Sequence, residues 1–163
     1  MNSQGVTHFR INHIDDVLPH IEGRTDFIVA NKGDYSVIDY VYALQDSFDH
    51  PARLECRGVK FAPDGRILAR PLHKFMNVGQ TPDTQPDRVD FEQPHTITEK
   101  LDGSMIHPAI VNDEVVFMTR MGRTDVAMKA ERHLPEVADF CRPLDVIQLI
   151  LPDMGGAPPH GHL

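Results

Sequence analysis

Lys100 stands in the run Glu99-Lys100-Leu101-Asp102-Gly103-Ser104, between an acid and an Asp-Gly pair. The segment Thr96-Ile97-Thr98-Glu99 leads into it, and an apolar segment from Met105 to Val111 follows. A lysine held at a strand-to-strand turn is a candidate covalent nucleophile, because its amine can be aimed and its pKa lowered by its surroundings. Asp-Gly equally suits a plain hairpin, where it supplies the positive φ that a tight connection needs. The neighbourhood has to decide between the two.

That neighbourhood includes an uneven charge distribution. Residues 52–74 hold Arg53, Arg57, Lys60, Arg66, Arg70 and Lys74 against Glu55 and Asp64, a local balance of +4 in a chain whose net charge is −8. An acidic body with one basic block suits a phosphate-binding pocket better than a broad nucleic-acid surface, and argues against a general nucleic-acid coat protein. The plainer alternative is a strand edge guarded by lysine and arginine. Cys56 and Cys141 are too few and too far apart to suggest a disulfide framework or a Cys-rich zinc site. A reducing cytosol fits best. No stretch is long enough to span a bilayer, and Met1-Asn2-Ser3-Gln4-Gly5 lacks the basic-then-apolar design of a signal peptide.

The elements that must position these residues follow from the hydrophobic pattern. Ile14, Val17, Leu18 and Ile21 predict a short amphipathic helix ending near Gly23. Phe27 to Ala30 and Tyr35 to Leu44 are β-rich runs separated by the turn Asn31-Lys32-Gly33-Asp34. Cys56 to Phe61 and Arg66 to Ala69 flank Ala62-Pro63-Asp64-Gly65 as a hairpin, and Thr81 to Pro94 is a connecting loop. Strands are expected at Thr96 to Lys100, Met105 to Val111 and Glu114 to Thr119, the last two joined at Asn112-Asp113. Helical pattern then runs from Thr124, a candidate cap, to His133, and from Pro135 to Phe140. The class is therefore α+β with mostly antiparallel sheet. Residues 1–144 read as domain sequence, and 145–163 as an atypical, disordered tail.

Four segments occur in order: Glu55-Cys56-Arg57-Gly58, then Arg70-Pro71-Leu72-His73-Lys74-Phe75-Met76-Asn77, then Glu99-Lys100-Leu101-Asp102-Gly103-Ser104, then Thr119-Arg120-Met121-Gly122. Together they resemble the N-terminal half of the ATP-dependent RNA ligase family typified by the tRNA-repair ligase of T-even phages, over roughly residues 50 to 132. The resemblance implies the nucleotidyltransferase (ligase adenylation) fold and a covalent lysyl-AMP on Lys100, with ATP as AMP donor and Mg²⁺ as cofactor. RNA ends bearing a 5′-phosphate and a 3′-hydroxyl would be the partners. It further implies that Arg57 and Lys74 contact the β- and γ-phosphates, Phe75 stacks, Glu99 faces the adenine, and Arg120 faces the ribose or the incoming RNA end. Asp102 and Gly103 complete the nucleotide-binding turn, glycine letting the backbone pass close. Taken singly, Arg57 and Arg70 also read as strand-edge charges, Lys74 as a solvated loop residue, Phe75 as core, and Glu99 as a surface partner of a strand lysine. Arg120 likewise reads as a partner of Asp125.

Two departures from the family pattern carry expectations. Met76 replaces a second aromatic after Phe75. The later segments of the family, which hold the metal-associated acid and the lysines that grip the α-phosphate, do not follow Arg132. This suggests a truncated or frame-shifted reading frame, or a minimal relative, with weak or no ligation by the chain alone unless a second polypeptide supplies those motifs. The alternatives from other classes are a non-catalytic nucleotide- or RNA-end-binding module and an inactive ligase fragment.

Overall fold

The computed structural model describes residues 9–99 and 102–137. Lys100, Cys141, the end of the last expected helix and the tail lie outside the described residues. The class is α+β with antiparallel sheets, as the pattern predicts.

The chain enters through a 3₁₀ turn at Ile14–Asp16 and a single helical turn, α1 (Leu18–Ile21). The expected helix is thus divided in two. Pro19 sits in the first turn of α1, and without an amide hydrogen it cannot continue a hydrogen-bond ladder from the preceding turn. Strands β1 (Phe27–Asn31) and β2 (Ser36–Tyr40) pair from Phe27↔Tyr40 to Asn31↔Ser36. The short helix α2 (Pro51–Glu55) leads into β3 (Arg57–Phe61), which pairs with β2 and with β4 (Ile67–Ala69). These four strands form an antiparallel sheet in the order β1-β2-β3-β4.

A second sheet is the hairpin of β5 (His107–Val111) and β6 (Glu114–Met118). Asn112 (φ 51°) and Asp113 (φ 64°) both adopt positive φ, the arrangement whose twist matches a two-residue hairpin. Helix α3 (Asp125–Ala130), a 3₁₀ turn (Glu131–His133) and α4 (Leu134–Val137) follow.

Alternation along the strands divides the core. Ile38, Val59 and Phe61 point to one face of the larger sheet and pack with Ile11, Val17, Ile21, Phe27 and Cys56. Val37 and Ala69 point to the other face, where Tyr35, Ala109, Val116 and Met118 join them from the hairpin side. Phe117 on the outer face of the hairpin packs against Ala127 of α3. The larger sheet is therefore a middle layer, with the N-terminal segment on one side and the β5–β6 hairpin on the other. Among the described residues no helix is long and apolar enough to cross a membrane.

Three further expectations are corrected. Thr96 to Glu99 is irregular and exposed, with Ile97 87% exposed; β-propensity alone does not make a strand without a neighbour to satisfy its backbone. The run from Tyr35 to Leu44 yields a strand that stops at Tyr40, leaving Val41, Tyr42 and Leu44 exposed. Thr124 occupies the N-cap position of α3 with extended backbone, but makes no side-chain cap bond; its hydroxyl meets that of Thr119 at 3.2 Å instead.

Candidate functional site

One end of the larger sheet gathers the upstream basic residues with Arg120. Arg57 opens β3 opposite Asp39, where the β2–β3 register shifts by a bulge. Its guanidinium lies 4.9 Å from the centroid of Phe75, and its Nη1 donates to the Leu72 carbonyl at 3.2 Å. The backbone N–H of Lys74 donates to the Leu54 carbonyl at 2.7 Å, which fastens this loop to α2. The Lys74 ammonium donates to the Phe75 carbonyl at 3.0 Å and lies 5.7 Å from the Phe48 ring centroid.

The chain of contacts continues. Phe48 meets Tyr40 edge-on, with centroids 5.1 Å apart. Tyr40 lies beneath the Arg120 guanidinium, 4.2 Å from its ring centroid. Arg120 Nε donates to both carboxylate oxygens of Asp39 at 2.7 and 2.8 Å, and Nη2 donates to the Tyr40 carbonyl at 2.8 Å. Cations and rings therefore run from Arg57 to Arg120, with Phe48 and Tyr40 in ring-to-ring contact between Lys74 and Arg120, and the ring quadrupoles attract the guanidinium and ammonium groups. The suggested Arg120–Asp125 pair is replaced by this one. Asp39 is buried, and burial raises its carboxyl above the ordinary range while Arg120 opposes the shift.

Gly58 explains how the Arg120 turn reaches the sheet. Its φ is +82°, and a Cβ there would collide with the Arg120 carbonyl. Glycine permits both the conformation and the approach. The turn is closed by reciprocal bonds between Thr119 and Gly122, the Thr119 N–H donating at 2.9 Å and the Gly122 N–H at 3.0 Å.

Of the other cations of the basic block, Arg70, Arg66 and Lys60 have structural roles, whereas the Arg53 Nε is buried without a hydrogen-bond partner among the described residues. Arg70 forms a two-pronged pair with Glu55 at 2.6 and 2.9 Å and also donates to the Phe9 carbonyl. Arg66 pairs with Asp64 at 2.7 Å. Lys60 is fully buried. Among the described residues Arg57 and Lys74 have no carboxylate partner, and Phe75 is 55% exposed beside them. The plainer reading of Phe75 as core is thus excluded, and Arg70 is a structural ion pair.

Glu99, Asp102 and Gly103 lie on the exposed stretch that precedes β5. Gly103 has φ +132° with open space around its α-carbon, as a turn glycine should. The structure does not join Glu99 or Gly103 to the Arg57–Arg120 face. Sequence reasoning missed Asp39, Tyr40 and Phe48. Asp39 had a signal of its own, an acid in the middle of a β-rich run. Tyr40 and Phe48 had none, because their partners are brought to them only by the fold.

The α+β domain thus presents, at one sheet end, two cations without a carboxylate partner among the described residues and one exposed ring. A family model described as RNA ligase matches residues 55–140. A protein of Thermovibrio ammonificans named "Putative RNA ligase" is 33% identical over 138 residues, covering 76% of this chain and 36% of that protein. RNA ligase 1 of Bacteriophage TS2126 is 28% identical over 113 residues, covering 66% of this chain and 29% of that protein. The chain belongs to the RNA ligase family. It spans about a third of the length of these relatives.

Proposed function

We propose that the chain carries the nucleotide-binding part of an ATP-dependent RNA ligase of the nucleotidyltransferase fold, with Lys100 as its covalent nucleophile. The observation that carries this reading is the state of the cations. Arg24, Arg66, Arg70, Arg120 and Arg123 are each matched by a carboxylate, whereas Arg57 and Lys74 are held in place by ring faces and carbonyls. Uncompensated cations beside an exposed aromatic ring suit a ligand with several negative charges and a flat base.

In this reading the neutral Lys100 amine attacks the α-phosphorus of ATP. The bond to the bridging oxygen breaks, pyrophosphate leaves, and the amine proton passes to solvent, giving a phosphoramidate. Arg57 and Lys74 neutralise the β- and γ-phosphates as charge builds on the leaving group, the kind of electrostatic help that dominates phosphoryl transfer. AMP then passes to an RNA 5′-phosphate, and attack by a 3′-hydroxyl releases it and seals the strand. Phe75 would stack, Glu99 would face the adenine, Asp102 and Gly103 would shape the turn, and Arg120 would face the ribose or the RNA end. Mg²⁺ is held largely by phosphate oxygens and water, with few protein ligands. Among the described residues no group of three or more His, Cys, Asp or Glu side chains could hold a metal.

Calorimetric titration with ATP tests the site. Arg57→Ala and Lys74→Ala are each expected to weaken binding by about tenfold, the order of one charge-assisted contact. Arg66→Ala, which removes a cation already paired with Asp64, is expected to change it little. Equal effects of all three substitutions would overturn the assignment.

A further inference from the structure

Lys60 is the most unusual residue of the larger sheet. It lies in the middle of β3 with no solvent exposure, among Val37, Ala69 and Met118 on the face that meets the hairpin. An amine in that position loses its hydration and must be compensated by hydrogen bonds. Two bonds are present. Nζ donates to the Thr119 carbonyl at 2.8 Å and lies 2.9 Å from His107 Nε2. Burial moves both groups toward their neutral forms, Lys60 down to about 7 and His107 down to about 4.

The partners of this amine are informative. Thr119 immediately precedes Arg120, and its carbonyl is the one that closes the Thr119–Gly122 turn. His107 is the first residue of β5, the strand that follows Lys100 in the sequence. Gly58 and Lys60 lie two residues apart on β3 and so share a face. Gly58 admits the Arg120 backbone, and Lys60 takes hold of the carbonyl one residue earlier. Asp39, on the neighbouring strand, receives the Arg120 side chain. Three points on two strands thus fix the backbone and the guanidinium of a single residue.

We propose that Lys60 is a positioning residue, whose amine anchors the Thr119–Gly122 turn and the start of β5 to the larger sheet and so aims Arg120 along the Asp39–Tyr40 edge. An apolar residue of similar volume would fill the space and leave the Thr119 carbonyl without its second donor. The importance of this placement for nucleotide or RNA contacts rests on the function proposed above; the placement does not.

The test separates the two. Arginine Nε–H signals are followed by ¹⁵N NMR, with Arg120 assigned by its loss in Arg120→Lys. The Arg70 Nε–H, which donates to Glu55 at 2.9 Å, is the internal control. In Lys60→Met, solvent exchange of the Arg120 Nε–H is expected to accelerate on the order of tenfold, the factor set by loss of one hydrogen bond, while the Arg70 signal is unchanged. Lys60→Leu gives the same test should the methionine variant not fold. An unaltered Arg120 signal, parallel loss of both signals, or failure of both variants to fold would overturn the proposal and leave Lys60 a packing residue. ATP titration of Arg120→Ala is the separate arm. Unchanged ATP and RNA-end affinity in that variant, alongside selective loss in Lys60→Met, would contradict the role given to Arg120 but not its positioning by Lys60.

Discussion

At the scale of single residues, Lys60 and Asp39 show how much a buried charge can organise. A lysine in the unfolded chain binds its proton below about 10.5, whereas Lys60 in the fold does so only below about 7. Between those values the unfolded state holds the extra proton, so raising the pH favours folding. The groups facing Lys60 are Asp39 on β2, which opposes the shift, and His107 on β5. His107 adds a second slope with the same sign: its folded value of about 4 lies below the ordinary 6.5, so stability falls as pH drops through that window. Thermal unfolding is therefore expected to occur at higher temperature at pH 9 than at pH 7 in the wild type. Lys60→Met should flatten that difference and be more stable at pH 7 by about 1–4 kcal/mol, as when an apolar side chain replaces a buried charge. A methionine variant that unfolds earlier at pH 7 and keeps the pH slope would contradict this. Asp39→Ala should act in the opposite direction, because it leaves a partly buried Arg120 without its carboxylate partner.

At the scale of elements, the close approach of the Arg120 turn to β3 depends on Gly58. Gly58→Ala puts a Cβ against the Arg120 carbonyl and strains a backbone at φ +82°. A loss of about 1–3 kcal/mol in denaturant unfolding is expected, with the Arg120–Asp39 ion pair the first to open; a neutral substitution would mean that the turn does not rest on β3. Gly23→Ala, also at positive φ but with nothing near its α-carbon, should cost the backbone part alone. Both sheets were largely legible in the sequence, because their strands are short β-rich runs bounded by turns that carry Gly or Asn-Asp. The hairpin at Asn112-Asp113 and the turn at Ala62-Pro63-Asp64-Gly65 lie where the pattern puts them. Thr96 to Glu99 read as a strand because propensity is local while pairing is not. The divided N-terminal helix was readable in principle from Pro19. The partners of Arg120 were not, since Asp39 lies 81 residues away in sequence and only the β2–β3 bulge and the Gly58 contact bring it near.

At the scale of the whole molecule, net charge misleads and distribution informs. A chain at −8 would not be chosen as a partner for phosphates, yet Arg24, Arg66, Arg70, Arg120 and Arg123 are paired with carboxylates, while Arg57 and Lys74 stand beside an exposed ring. The basic block of residues 52–74 is not a patch: one of its lysines is interior and two of its arginines are neutralised. ATP affinity is accordingly expected to fall with rising salt only modestly, in proportion to two or three uncompensated cations rather than six. A steep dependence in a salt titration would point to a broader basic surface. The order of the four segments in the sequence carried the family assignment, and the fold added which of their residues meet.

The intact mass of the protein after incubation with ATP and Mg²⁺, measured beside Lys100→Ala, tests the proposed chemistry most directly. A gain of one AMP on the wild type and none on the variant is expected. An unmodified wild type, or the same gain on Lys100→Ala, would contradict Lys100 as the nucleophile.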